Sequence, residues 1–128
     1  MKTKSPSDFS RHLSAFLTQY LPGQKNVSPH TVASYRDAFK LFLIFCDQKK
    51  GIASEQLTLA TLTKDLVTAY LDWIESERGC SIATRNQRLS AVVGFVRYVQ
   101  HEIPDYLFEF QRIQGIPSKK RHNPWSRI

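Results

Sequence analysis

Three times along this chain a Ser or Thr opens a stretch in which apolar residues return every three or four positions, and two of those stretches close on a glycine. This punctuation restricts the fold to helices. A hydroxyl side chain can accept from the free N–H groups of a helix start, and glycine takes the left-handed conformation that ends a helix. Ser28-Pro29 opens one helix, with Val32, Tyr35, Phe39, Phe42, Leu43 and Cys46 as its stripe and Gly51 as its stop. Thr63 caps the next, which buries Leu66, Val67, Tyr70, Leu71 and Ile74 and ends at Gly79. Ser81 caps a third such stretch running to Gln100 or His101, with Ile82, Leu89, Val92, Val93, Val96 and Val99 inward.

Ahead of these, Phe9, Leu13, Phe16, Leu17 and Tyr20 give a first helix from Ser7 or Asp8 to Leu21, stopped by Pro22-Gly23. Beyond Pro104, the segment DYLFEFQRIQGI is expected to form a short extra helix with Tyr106, Leu107, Phe110 and Ile113 packing down. Residues 52–62 read as a loop or strand-like connection. The fold class expected is all-α, a bundle of four main helices with a short extra C-terminal helix. With 128 residues and 41% apolar content there is enough for one core and no second domain. The expected division is a helical domain over 1–116 and a basic, proline-broken linker over 117–128.

Charge points to a partner. The formal net charge is +7, and it is divided unevenly: +5 over residues 1–50, −3 over 51–80 and +5 over 81–128. Clustered Lys and Arg gain free energy by releasing counterions from phosphates, so a polyanion is the expected partner, with the acidic third helix turned away from it. Cys46 and Cys80 suggest neither a disulfide framework nor a zinc site, which fits a reducing cytosol. No stretch reaches the length of a membrane span, so the expectation is a soluble cytoplasmic protein without membrane contact. The four histidines share no helical face, and no phosphate loop, nucleophile elbow or metal-spaced carboxylate pair is present, so neither a cofactor nor an independent catalytic site is expected.

The start of the fourth helix carries Thr84, Arg85, Asn86, Gln87 and Arg88 just after the Ser81 cap. These side chains bind phosphates and read base edges, and at about 100° per residue Thr84, Gln87, Arg88 and Ala91 fall opposite the Leu89 stripe. Around the second helix start, Ser28, His30, Thr31 and Ser34, then Arg36 and Lys40, form a comparable outward strip. In both places a solvated polar face is the alternative. Leu41, Ile44 and Trp73 point away from their stripes, either under other helices of the chain or as a patch for another protein.

The order of these motifs resembles a known family. SPHTVASYRDAFKLFLIFC, then TLTKDLVTAYLDWIES, then GCSIATRNQRLSAVVGFVRYV are similar to the SAM-like core-binding domain of tyrosine recombinases and phage integrases. Thr31 and Tyr35 match its Thr-x-x-x-Tyr pattern, and Ser81, Thr84, Arg88 to Ala91 and Tyr98 match the later one. The resemblance implies one jaw of a C-shaped clamp on double-stranded DNA at a recombination site, with other recombinase protomers as partners and the isolated fragment monomeric. It puts contacts on Thr31, Ser34, Arg36, Lys40, Thr84, Arg85, Asn86 and Arg88, and the interdomain linker on Lys119, Lys120 and Arg121. None of the histidines begins the His-x-x-Arg segment of the family's catalytic domain, so the resemblance implies recognition without catalysis in this stretch. A helical protein-interaction module and a helix-turn-helix regulator, with Gly79-Cys80-Ser81 as its turn, are the alternatives.

Overall fold

The computed structural model describes residues 7–24 and 26–120, and among them the elements are helical throughout. α1 (Asp8–Ala15) runs into a π-helical turn, Phe16–Tyr20; then come α2 (Pro29–Lys50), α3 (Lys64–Ser76), α4 (Ile82–Glu102) and α5 (Leu107–Gln114). The expected all-α class is what is found. Each of the first four helices starts on its hydroxyl cap: Ser7, Ser28, Thr63 and Ser81 accept from the backbone N–H three residues on, at 3.1, 3.1, 3.2 and 3.1 Å. Gly51 and Gly79 sit at φ 65° and 64°, and the next residues, Ile52 and Cys80, donate back to Cys46 and Ile74 at 3.0 Å. That wrap satisfies carbonyls the helix end would leave open.

The core is built around aromatic rings. Phe95 of α4 meets Phe9, Phe16 and Phe39 edge-on at 5.5, 5.5 and 5.3 Å, and the Tyr70 hydroxyl donates to the Ala38 carbonyl at 2.8 Å. Residues 52–62 are neither loop nor strand but two 3₁₀ turns, Ser54–Gln56 and Leu59–Thr61, which bury Leu57, Leu59 and Leu62. They are tied from a distance: the Asp8 carboxylate accepts from the Leu59 N–H at 2.9 Å, and Glu109 of α5 accepts from Lys64 at the start of α3 at 2.8 Å.

Two sequence expectations are corrected, for Leu107 and Ala91. Leu107 is exposed rather than packed down, and Phe108 beside it is 78% exposed. Tyr106 takes the inward place against Phe110, at 5.8 Å, and the following residue is turned about 100° away from it. Of the two readings for Leu41, Ile44 and Trp73, cover by the chain's own helices holds for Trp73, buried against Phe45 with the Arg78 guanidinium over its ring, and in part for Leu41, which is half-buried; only Ile44 is exposed. Ala91, expected outward on α4, is buried. α4 packs against α2, α3 and α5 together, so its accessible strip narrows to Gln87, Ser90, Arg97 and His101. No helix among the described residues is long and apolar enough to cross a membrane.

Candidate nucleic-acid interface

α2 presents one continuous exposed strip. His30, Ala33, Arg36, Asp37, Lys40, Ile44 and Asp47 recur at helical spacing on the side away from Phe39 and Phe42. Ser28 is exposed at the cap, while Thr31 and Ser34 border the strip, half-buried. Arg36 and Lys40 lie one turn apart and make no ion pair among the described residues, so their charge faces solvent. Asp37 and Asp47 moderate it.

α2 and α4 join where the nominated residues are densest. Arg88 reaches across from the second turn of α4 and donates through Nη1 to the Ser34 carbonyl at 3.1 Å. Its Nε is buried without a partner, and the side chain is partly covered. Thr84 is half-buried, with its hydroxyl accepting from the Ser81 cap at 3.2 Å, and Gln87 is exposed beyond it. Arg88 thus joins Ser34 across the α2–α4 junction, with Thr31 one turn before Ser34 on α2 and Thr84 one turn before Arg88 on α4.

Arg85 and Asn86 have a different setting. Arg85 is 5% exposed, the only charged residue buried among those described. Its Nη1 donates to the Pro117 carbonyl and to Asn86 Oδ1, both at 3.1 Å, while its Nε lies 3.5 Å from Glu75 on α3. Asn86 clasps the backbone of Lys119 from both sides, Oδ1 accepting its N–H at 2.9 Å and Nδ2 donating to its carbonyl at 2.8 Å. Lys119 Nζ in turn reaches Glu75 Oε1 at 2.8 Å. Two residues nominated as base readers are therefore engaged within the chain, and Lys119 with them. Lys120 is exposed just beyond; Arg121 lies outside the described residues.

Sequence reasoning missed Glu75, which it placed on a solvated acidic face. A lone carboxylate on an amphipathic helix carries no signal of a partner 44 residues later. The raised cysteine pKa values belong to packing: burial pushes Cys46 up to about 11 and raises Cys80, with Glu75 adding to the latter.

Comparison with known proteins agrees with the fold and the motif order. Residues 13–102 match the family profile described as the phage integrase N-terminal SAM-like domain. The chain is 38% identical over 108 residues to y4rC of Sinorhizobium fredii strain NBRC 101917 / NGR234, and 36% identical over 110 residues to y4rD of the same strain. Both are named as candidate integrase/recombinases. These alignments cover 84% and 86% of this chain but 32% and 39% of the relatives, so the chain spans only about a third to two fifths of their length. No solved structure matches it significantly. The chain belongs to the phage integrase family and corresponds to its N-terminal SAM-like domain.

Proposed function

We propose that this domain binds double-stranded DNA at a recombination site, as one jaw of a C-shaped clamp in a tyrosine recombinase, with strand cleavage and rejoining carried by another domain. The observation that carries this reading is the Arg88–Ser34 bridge, which joins a nominated residue of α2 to one near the start of α4. Around it stand the kinds of group DNA contacts use: free cations on Arg36 and Lys40, hydroxyls and an imidazole on Ser28, Thr31, Ser34 and His30, and the Ser81, Thr84 and Gln87 side chains. Arg85 and Asn86 belong to the same helix start, and Lys119, Lys120 and Arg121 add a basic strand that follows the phosphate backbone.

Residues 117–128 serve as the linker to the catalytic domain, and protomers meet through the assembly on DNA. With half a clamp the isolated domain binds weakly and alone, since it lacks the effective concentration that the second jaw supplies. The protein acts where its DNA is, in the cytoplasm. The test is titration of a duplex with the domain at several salt concentrations. Affinity that falls steeply with salt, and falls further for Gln87→Ala on one preferred sequence, is expected. A salt-independent interaction, or no binding by the wild type and its Glu75→Gln variant alike, overturns the reading.

A further inference from the structure

The contacts among Glu75, Arg85, Asn86 and the segment after α5 do more than tie down a loose end. Asn86 uses both ends of its amide on the N–H and C=O of one residue, Lys119, in the way a strand neighbour would. Arg85 holds the Pro117 carbonyl two residues earlier, so the segment is gripped at two points along its backbone. Glu75 supplies the charge for both sides of the closure: its Oε1 lies 2.8 Å from Lys119 Nζ and 3.5 Å from Arg85 Nε. One carboxylate serving two cations leaves an excess of positive charge there, and that is a contact a polyanion can compete for.

We infer that Glu75, Arg85, Asn86 and segment 117–119 form a releasable latch, and that the segment occupies in the free protein the side chains that DNA takes when it binds. The inference rests on the DNA-binding reading above and adds a conformational step to it. Phosphates draw Lys119 from Glu75, the segment lifts from Asn86, and the Asn86 amide and the Arg85 guanidinium become available to the duplex. The Lys119–Glu75 pair is the weak point of the latch. Lys119 is about half exposed and Glu75 about a quarter, so the ion pair is screened by solvent and opens without unfolding the core. The covered residues lie in the second turn of α4, on the helix that also carries Gln87 and Arg88 toward the α2 junction.

The test uses the 128-residue chain, a fluorescent duplex, and the isosteric variant Glu75→Gln beside Glu77→Gln as a charge control. Glu77 pairs with Lys49 and takes no part in the latch, so the two variants differ in latch release but not in net charge. Glu75→Gln is expected to bind DNA about fivefold tighter than the wild type, as loss of about 1 kcal/mol of latch energy would give. Glu77→Gln should show only a fraction of that gain. In parallel, hydrogen exchange at the Lys119 amide should be on the order of tenfold faster in the DNA complex than in the free chain. Binding by Glu75→Gln where the wild type fails also supports the latch. Equal gains for the two variants, or unchanged Lys119 exchange on DNA that the wild type binds, overturn the latch and leave the DNA reading standing. No binding by any of the three proteins overturns both.

Discussion

Arg36 and Lys40 provide the sharpest test of where DNA lies. Six nominated cations fall within the described residues, and the structure divides them. Arg85 and Lys119 share Glu75, Arg88 is turned onto the Ser34 carbonyl, and Lys120 follows the latched segment, whereas Arg36 and Lys40 are exposed one turn apart with no acidic partner. Each phosphate contact contributes about 0.9 to the slope of log K against log salt on duplex DNA. The double variant Arg36→Gln/Lys40→Gln should therefore lower that slope by about 1.8. Between 50 and 200 mM salt, a fourfold change, the wild type should lose about tenfold more affinity than the variant. Fluorescence anisotropy of a labelled duplex over that range measures both slopes. Because the two side chains lie on the surface, thermal unfolding should change by less than about 0.5 kcal/mol, so a changed slope cannot come from unfolding. An unchanged slope would refute the assignment of the α2 strip to DNA and leave the phosphate contacts to other cations.

Other consequences follow from the core and the helix ends. Phe95→Ala removes the ring that three other aromatic rings meet edge-on, and should cost about 3–5 kcal/mol by urea denaturation, a large part of a small domain's stability. Gly79→Ala forces a Cβ into a left-handed turn with open space around it, so the cost is backbone strain alone, roughly 1–2 kcal/mol in the same assay. Cys46 is neutral in the fold up to about pH 11, against 9.0 for an unperturbed thiol. The unfolded chain thus ionises first as pH rises, and stability present below pH 9.0 is lost between there and about 11. Urea denaturation at about pH 8 and about pH 10 should show that loss in the wild type and a smaller one in Cys46→Ala.

Helix boundaries were legible because they are local. Ser28, Thr63 and Ser81 cap the helices they were expected to cap, and Gly51 and Gly79 end theirs, since each signal needs only groups three to five residues apart. The π-helical turn at Phe16–Tyr20 had no such local mark. It accompanies a packing arrangement in which Tyr20 lies on Phe16 and Tyr98 at 5.8 and 4.7 Å, and Tyr98 comes from the far end of α4. The bonds from Leu59 to Asp8 and from Lys64 to Glu109 were hidden for the same reason, as they span 51 and 45 positions.

The candidate site shows a subtler limit. Periodicity distinguishes an apolar face from a polar one, but it does not say how many neighbours a helix has. α4 carries Thr84, Arg85, Asn86 and Arg88 opposite or beside its main stripe, and on a peripheral helix all four would face solvent. Here α2, α3 and α5 all pack on α4, and polar residues away from the stripe are drawn into contacts with them. A buried guanidinium must find acceptors and a counter-charge or cost several kcal/mol, and Arg85 finds acceptors in the Pro117 carbonyl and Asn86 and its counter-charge in Glu75, 3.5 Å from an Nε that makes no hydrogen bond. The side chains best suited to read bases are for that reason also those best suited to bind the segment after α5, because the N–H and C=O of one extended residue and a base edge both offer a donor beside an acceptor. Free positive charge consequently shifts to α2, and in the proposed complex α4 would meet DNA chiefly through Gln87, the Arg88 junction and the groups the latch releases.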